Sequence, residues 1–123
     1  MIRLRSGNQI HVLSATPGVD DTVLSLETAA QYRDPAAWYH IVLAIDTTDG
    51  TAADRAKLYV NGVRVTSFVT ETNISTQNLE MEINNTTKHS VGMHTYNSGD
   101  FLAGYLAEVH FIDGQALTPA SFA

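Results

Sequence analysis

Five histidines, at positions 11, 40, 89, 94 and 110, and an acidic loop bearing Asp46, Asp49 and Asp54 are the side chains of this sequence best suited to hold a metal or move a proton. The histidines are scattered. No His-x-His or His-Glu-x-x-His pair occurs and cysteine is absent, so zinc has little support from spacing. His40 and His110 fall on long apolar runs and could meet across a sheet, although a strand histidine satisfied by hydrogen bonds is the simpler expectation. The loop over residues 47–54 is rich in Thr, Asp and Gly. Hard cations take about six to eight oxygens from loops, so Asp46, Asp49 and Asp54, with Asn84 and Asn85 in a second loop, are calcium candidates. Solvated loop acids are the competing reading, and no other cofactor is expected.

These residues need elements to position them, and the chain is organised around residues 38–68. Asn61-Gly62 sits between alternating apolar runs, and both residue types tolerate the positive φ of a type I′ hairpin turn. A two-residue turn sets Val60 opposite Val63 and Leu58 opposite Val65 on one apolar face, with Lys57, Tyr59, Arg64 and Thr66 on the other. The preceding run, AWYHIVLAID, is apolar in both of its alternating rows until Asp46. That predicts a central strand covered on both sides, with Trp38 in the core or between sheets.

Before this unit, IRLR and QIHVLSA flank Ser6-Gly7-Asn8 as a short hairpin, and TVLSLET follows as a strand. After it, ETNISTQN reads as irregular and LEMEIN as a strand with one wet face. HSVGMHTY and FLAGYLAEVHFIDG follow as strands, and ALTPASF as a single helical or 3₁₀ turn, with Thr118 capping and Pro119 at its first position. Eight or so strands without an amphipathic helix predict an all-β, antiparallel β-sandwich or jelly roll, one domain over residues 1–123.

A formal net charge of −6 argues against a nucleic-acid partner, because attraction to phosphates is missing. No apolar run approaches the ~20 residues that span a bilayer, so no membrane insertion is expected.

WYHIVLAID, followed after a loop by KLYVNG, resembles the "W-H-x-V-x-V-x-D … L-Y-V-D-G" core of the concanavalin A-like lectin/glucanase superfamily, the laminin G-like and pentraxin-like jelly rolls. GYLAEVHFIDGQALTP is similar to that family's closing strand, with Glu108, Val109, Phe111, Ala116 and Leu117 in the matching places. The resemblance covers residues 32–122, and its wording is similar to versions in bacteriophage and other viral structural proteins. The family's usual opening strands are not found, which implies a domain shortened at its N-terminus: either residues 2–15 replace those strands or another chain covers an open edge.

What the resemblance implies is a non-catalytic domain on a virion surface or tail fibre, with structural or adhesive duty and a host-surface glycan as ligand. Its partners would be other virion or fibre chains, or further copies of itself. The alternatives are a free-standing extracellular lectin and, third, a glycan hydrolase. For sugar, the family implies a rim of loops, where Tyr96, Asn97 and Asp100 join the Asp49 loop as candidates: an aromatic face for the ring, amide and carboxylate groups for hydroxyls. Several relatives hold calcium at such a rim. A hydrolase of this superfamily would need alternating acids such as Glu-x-Asp-x-x-Glu, and the only close spacing is Glu80-x-Glu82, without a third acid.

Overall fold

The computed structural model describes residues 1–94 and 101–122. Seven strands form: β1 (Ile2–Leu4), β2 (Ile10–Ala15), β3 (Thr22–Thr28), β4 (Ile41–Ile45), β5 (Ala56–Val60), β6 (Val63–Arg64) and β7 (Phe68–Thr72). Two 3₁₀ turns, Ala52–Asp54 and Pro119–Phe122, complete the elements. Among the described residues the strands make two sheets, one ordered β1-β2-β3-β7 and one β4-β5-β6, with every neighbouring pair antiparallel. The all-β antiparallel expectation holds.

Turn chemistry accounts for the local connections. Asn61 at φ 50° and Gly62 at φ 81° supply the two left-handed residues of a type I′ turn, and Val60 faces Val63 as the two-residue turn requires. Asn61 also ties the start of β4 to this turn. Its Oδ1 accepts from the His40 N–H at 2.9 Å, and its own N–H donates to the His40 carbonyl at 2.8 Å. In the longer β1–β2 connection Asn8, at φ 62°, supplies a left-handed residue, and its N–H donates to the Arg5 carbonyl at 2.9 Å.

The sheets share one core. Ile10, Val12, Leu24 and Leu26 from the first sheet cluster with Ala56, Leu58 and Val60 from the second, and the irregular segment beyond β7 adds Ile74 and Met81. Full burial of one such side chain contributes about 1.5–3 kcal/mol. The sandwich is therefore held by apolar packing, without disulfides.

Several expected elements differ. β4 covers only residues 41–45 and lies at the edge of its sheet, not at its centre, and Trp38 is 67% exposed. The inward place is taken by Tyr39, which packs against the core and meets the Tyr32 ring edge-on at 5.3 Å; the alternation then sends Trp38 outward. Val63 is 70% exposed: its own strand, β6, ends at Arg64 and the chain leaves for the other sheet. There β7 pairs with β3, using residues whose polarity reads as loop because an edge strand can be wet on both faces.

Residues 79–83 form no ladder, yet their alternation survives. Met81 is buried and Leu79 and Ile83 pack on the core, with the Glu82 N–H donating to the Ala15 carbonyl. In the expected strand at residues 89–96, Gly92 takes φ 77° and the described part contributes only the bridge from Met93 to Phe101. Residues 101–114 form no strand either: Glu108 sits at φ 51° and Gly114 at φ 76°, which breaks the extended run. The closing turn is as expected, a 3₁₀ turn from Pro119 in which the Ser121 N–H donates to the Thr118 carbonyl.

Candidate functional site

The 46–54 loop begins where Asp46 leaves β4, its N–H still donating to the Arg55 carbonyl at 2.8 Å. Two of its aspartates fold the loop on itself. Asp46 Oδ1 accepts from the Thr48 hydroxyl at 2.6 Å and the Thr48 N–H at 3.0 Å, and Asp49 Oδ1 accepts from the Thr51 N–H at 2.8 Å. The Thr48 hydroxyl, then its N–H, holds the Asp46 carboxyl below the ordinary aspartate value. Asp54 is engaged differently, accepting from Arg64 at 2.7 Å, while Lys57 Nζ stands 3.9 Å from both Asp49 and Asp54.

The centre of this rim is a cation the protein supplies itself. Arg55 is 5% exposed, and its guanidinium donates to four backbone carbonyls: Asp49 at 2.7 Å, Gly50 at 3.2 Å, Ile74 at 2.8 Å and Ser75 at 2.9 Å. Gln77 donates to the Thr48 carbonyl at 2.7 Å and the Asn78 N–H to the Thr47 carbonyl at 2.8 Å, so the 46–50 and 74–78 segments are strapped together. Converging loop carbonyls are the ligands a hard cation takes, and here a guanidinium holds them. Lys57 and Arg64 already neutralise two of the three aspartates. Asn84 and Asn85, expected to assist, bond instead to Asp113 and Thr86. Among the described residues no group of three His, Asp or Glu side chains is placed to hold a metal ion, and the three aspartates are engaged by Thr48, Thr51, Arg64 and Lys57.

The first sheet carries a polar row that sequence reasoning missed, with His11, Ser25 and Glu27 buried. Arg3 pairs with His11 and His11 with Glu27 in register, and Arg5 reaches Glu27 at 2.9 Å. His11 Nε2 lies 3.0 Å from Ser25 Oγ, the spacing of a base and a nucleophile. The other ring nitrogen decides the matter. Nδ1 receives Arg3 Nε at 3.3 Å and Nη2 at 3.2 Å, and a guanidinium can only donate. Nδ1 therefore carries the lone pair and Nε2 the proton, which His11 donates to Ser25, so the ring cannot take the proton of Ser25 Oγ. The pairing of Arg3 with His11 was the available signal, since the expected hairpin already set β1 against β2.

Burial first, and the charge of Arg3 next, hold the His11 imidazole below its ordinary 6.5. The unfolded chain thus binds a proton at higher pH than the folded one. The stabilising contribution is complete above about pH 6.5 and declines as pH falls below it toward the folded value. Urea denaturation at a series of pH values from about 5 to 7.5 should show this decline, and His11→Gln should flatten that part of the profile.

His40 and His110 do approach one another, through an intermediary. Phe122 has its ring centroid 6.5 Å from His40 and 5.7 Å from His110. An open cleft of about 510 Å³ lies here, lined by His40, Asn61, Gly62, Pro119, Ala120 and Phe122. His89 packs on Phe111 at 5.8 Å and receives the Asn84 N–H. Glu80 is exposed and Glu82 half-buried, on a segment that is not a strand. Tyr96, Asn97 and Asp100 lie outside the described residues.

Against known families, the model Laminin_G_3, described as the concanavalin A-like lectin/glucanases superfamily, matches residues 1–122. The match therefore takes in β1 to β3 as well as the region from residue 32 onward that carries the sequence motifs. No curated protein and no solved structure matches the chain.

Proposed function

Because this chain belongs to the concanavalin A-like lectin/glucanase superfamily, we propose that it is a non-catalytic structural and adhesion domain of a virion surface or tail fibre, binding glycans on a host surface. The family membership supports a carbohydrate-binding or structural role. The observation that carries the non-catalytic, scaffold-like reading is the rim itself. Arg55, Lys57 and Arg64 engage its carbonyls and carboxylates internally, which leaves a rigid, polar loop platform in place of a reactive centre. The virion assignment draws its support from the wording of DPAAWYHIVLAIDTT and GYLAEVHFIDGQALTP, which resembles viral structural versions of the domain. Other chains of the same particle are then its assembly partners, and binding needs no calcium.

A glycan array run with and without a chelator tests the ligand half, and the expected result is glycan binding unchanged by chelation. Fixed stoichiometry in purified particles tests the structural half. Release of sugar from a bound glycan, lost in Glu80→Gln or Glu82→Gln, would overturn the reading in favour of a hydrolase. Calcium-dependent binding by a chain absent from any particle would overturn it in favour of a free lectin.

A further inference from the structure

Residues 101–112 leave a run of large apolar side chains uncovered. Phe101 is 66% exposed, Tyr105 89%, Leu106 55%, Val109 58%, Phe111 61% and Ile112 46%. With aromatic side chains of ~150–250 Å² each, these six expose on the order of 700 Å². Summed along the segment, that area is close to the ~800 Å² that each partner contributes to a standard interface.

The same chain has an edge to receive such a segment. The His40 carbonyl and the Asp46 N–H both point toward β5, bonded to Asn61 and Arg55. Alternation then turns the N–H and C=O groups of Ile41, Leu43 and Ile45 away from β5, and no described residue pairs with them. An unpaired edge of this kind is a template for a further strand. Glu108 gives the segment a reason to change. It sits at φ 51°, a left-handed conformation that costs a side-chain-bearing residue energy and that would be released if the run straightened. In its own chain the far end of the segment is tied to the 84–89 loop, by the Asn84 side chain donating to Asp113 at 2.6 Å and by His89 against Phe111.

We infer that residues 101–112 of one chain straighten and add as a strand to the outer edge of β4 in a second copy, reciprocally, in a two-fold dimer. This names a partner for the assembly role proposed above. It can fail while that role stands, because attachment to particles and glycan binding are measured separately.

Sedimentation of the full chain over a range of concentrations reads the pairing, and a reversible dimer is expected. Val109→Lys should weaken it roughly a hundredfold, the scale of an anchor residue lost from an interface. The changes at Glu108 should act in opposite directions. Glu108→Gly, which relieves the left-handed residue in the unpaired form, should weaken the dimer, and Glu108→Val, which penalises that form, should strengthen it. Both sites are exposed, so circular dichroism of the monomer should be unchanged in all three variants. A chain that stays monomeric at every concentration would overturn the inference. So would an oligomer indifferent to Val109→Lys, or one that shifts in the same direction with both Glu108 variants.

Discussion

Replacing Arg55 with alanine should cost about 3–5 kcal/mol of folding stability, because buried acceptors left unpaired cost about 1–3 kcal/mol each. The physical reason is the set of acceptors left behind. Four carbonyls from two separate segments converge on this one guanidinium, and the side chain is too buried for water to replace it without rearrangement. Arg55→Lys should recover only part of the loss. A lysine keeps the charge, but its compact ammonium cannot span both the Asp49–Gly50 and the Ile74–Ser75 carbonyls as the planar fork does. Urea melts of the two variants separate charge from geometry: equal losses would mean that the fork matters, and full recovery with lysine would mean that charge alone suffices. Added calcium should not rescue either variant, since the aspartates beside the gap remain paired with Thr48, Thr51, Arg64 and Lys57.

Leu58→Ala should be the next most damaging change, at about 2–5 kcal/mol, with the spread set by how far the surroundings can close the cavity. Leu58 is 1% exposed at the middle of β5, directly opposite Leu43, and belongs to the cluster that joins the two sheets. The loss should appear as a lower denaturation midpoint with an unchanged slope, because the same surface is still buried cooperatively. Combined with Leu43→Ala the costs should not add, since the two side chains border one cavity. Additive losses would show that the residues pack independently.

Much of the scaffold was legible where residue type forces backbone geometry. Asn61-Gly62 announces its turn and register, Ser6-Gly7-Asn8 its hairpin, and Thr118-Pro119 its closing 3₁₀ turn, because positive φ and proline's fixed φ are local constraints. What was not legible depends on neighbours. The apolar rows of residues 38–46 imply coverage but do not say which strand supplies it, so β4 could be mistaken for a central strand. The alternation at residues 79–83 reports a buried row correctly while saying nothing of a ladder.

The rim shows the same limit on the chemistry. Three aspartates are visible in the sequence and suggest calcium, but the acceptors that matter are backbone carbonyls, which carry no signature at all. Arg55 reads as the first residue of a hairpin strand, and only the fold brings Ile74 and Ser75 to it. The His11 tautomer likewise depends on β1, β2 and β3 lying side by side.

The strand order also favours one sequence of events during folding. β7 joins β3 with Phe68 opposite Thr28, and every residue of β4, β5 and β6 lies in the chain between them. Closing so long a loop costs entropy that short hairpins do not incur, and the cost is lowest once the intervening chain has condensed. The Asn61-Gly62 hairpin and the β1–β2–β3 meander can therefore nucleate separately and early. The first sheet is then expected to gain its last strand after the second sheet has condensed inside the loop, so that its completion would record the docking of the two layers.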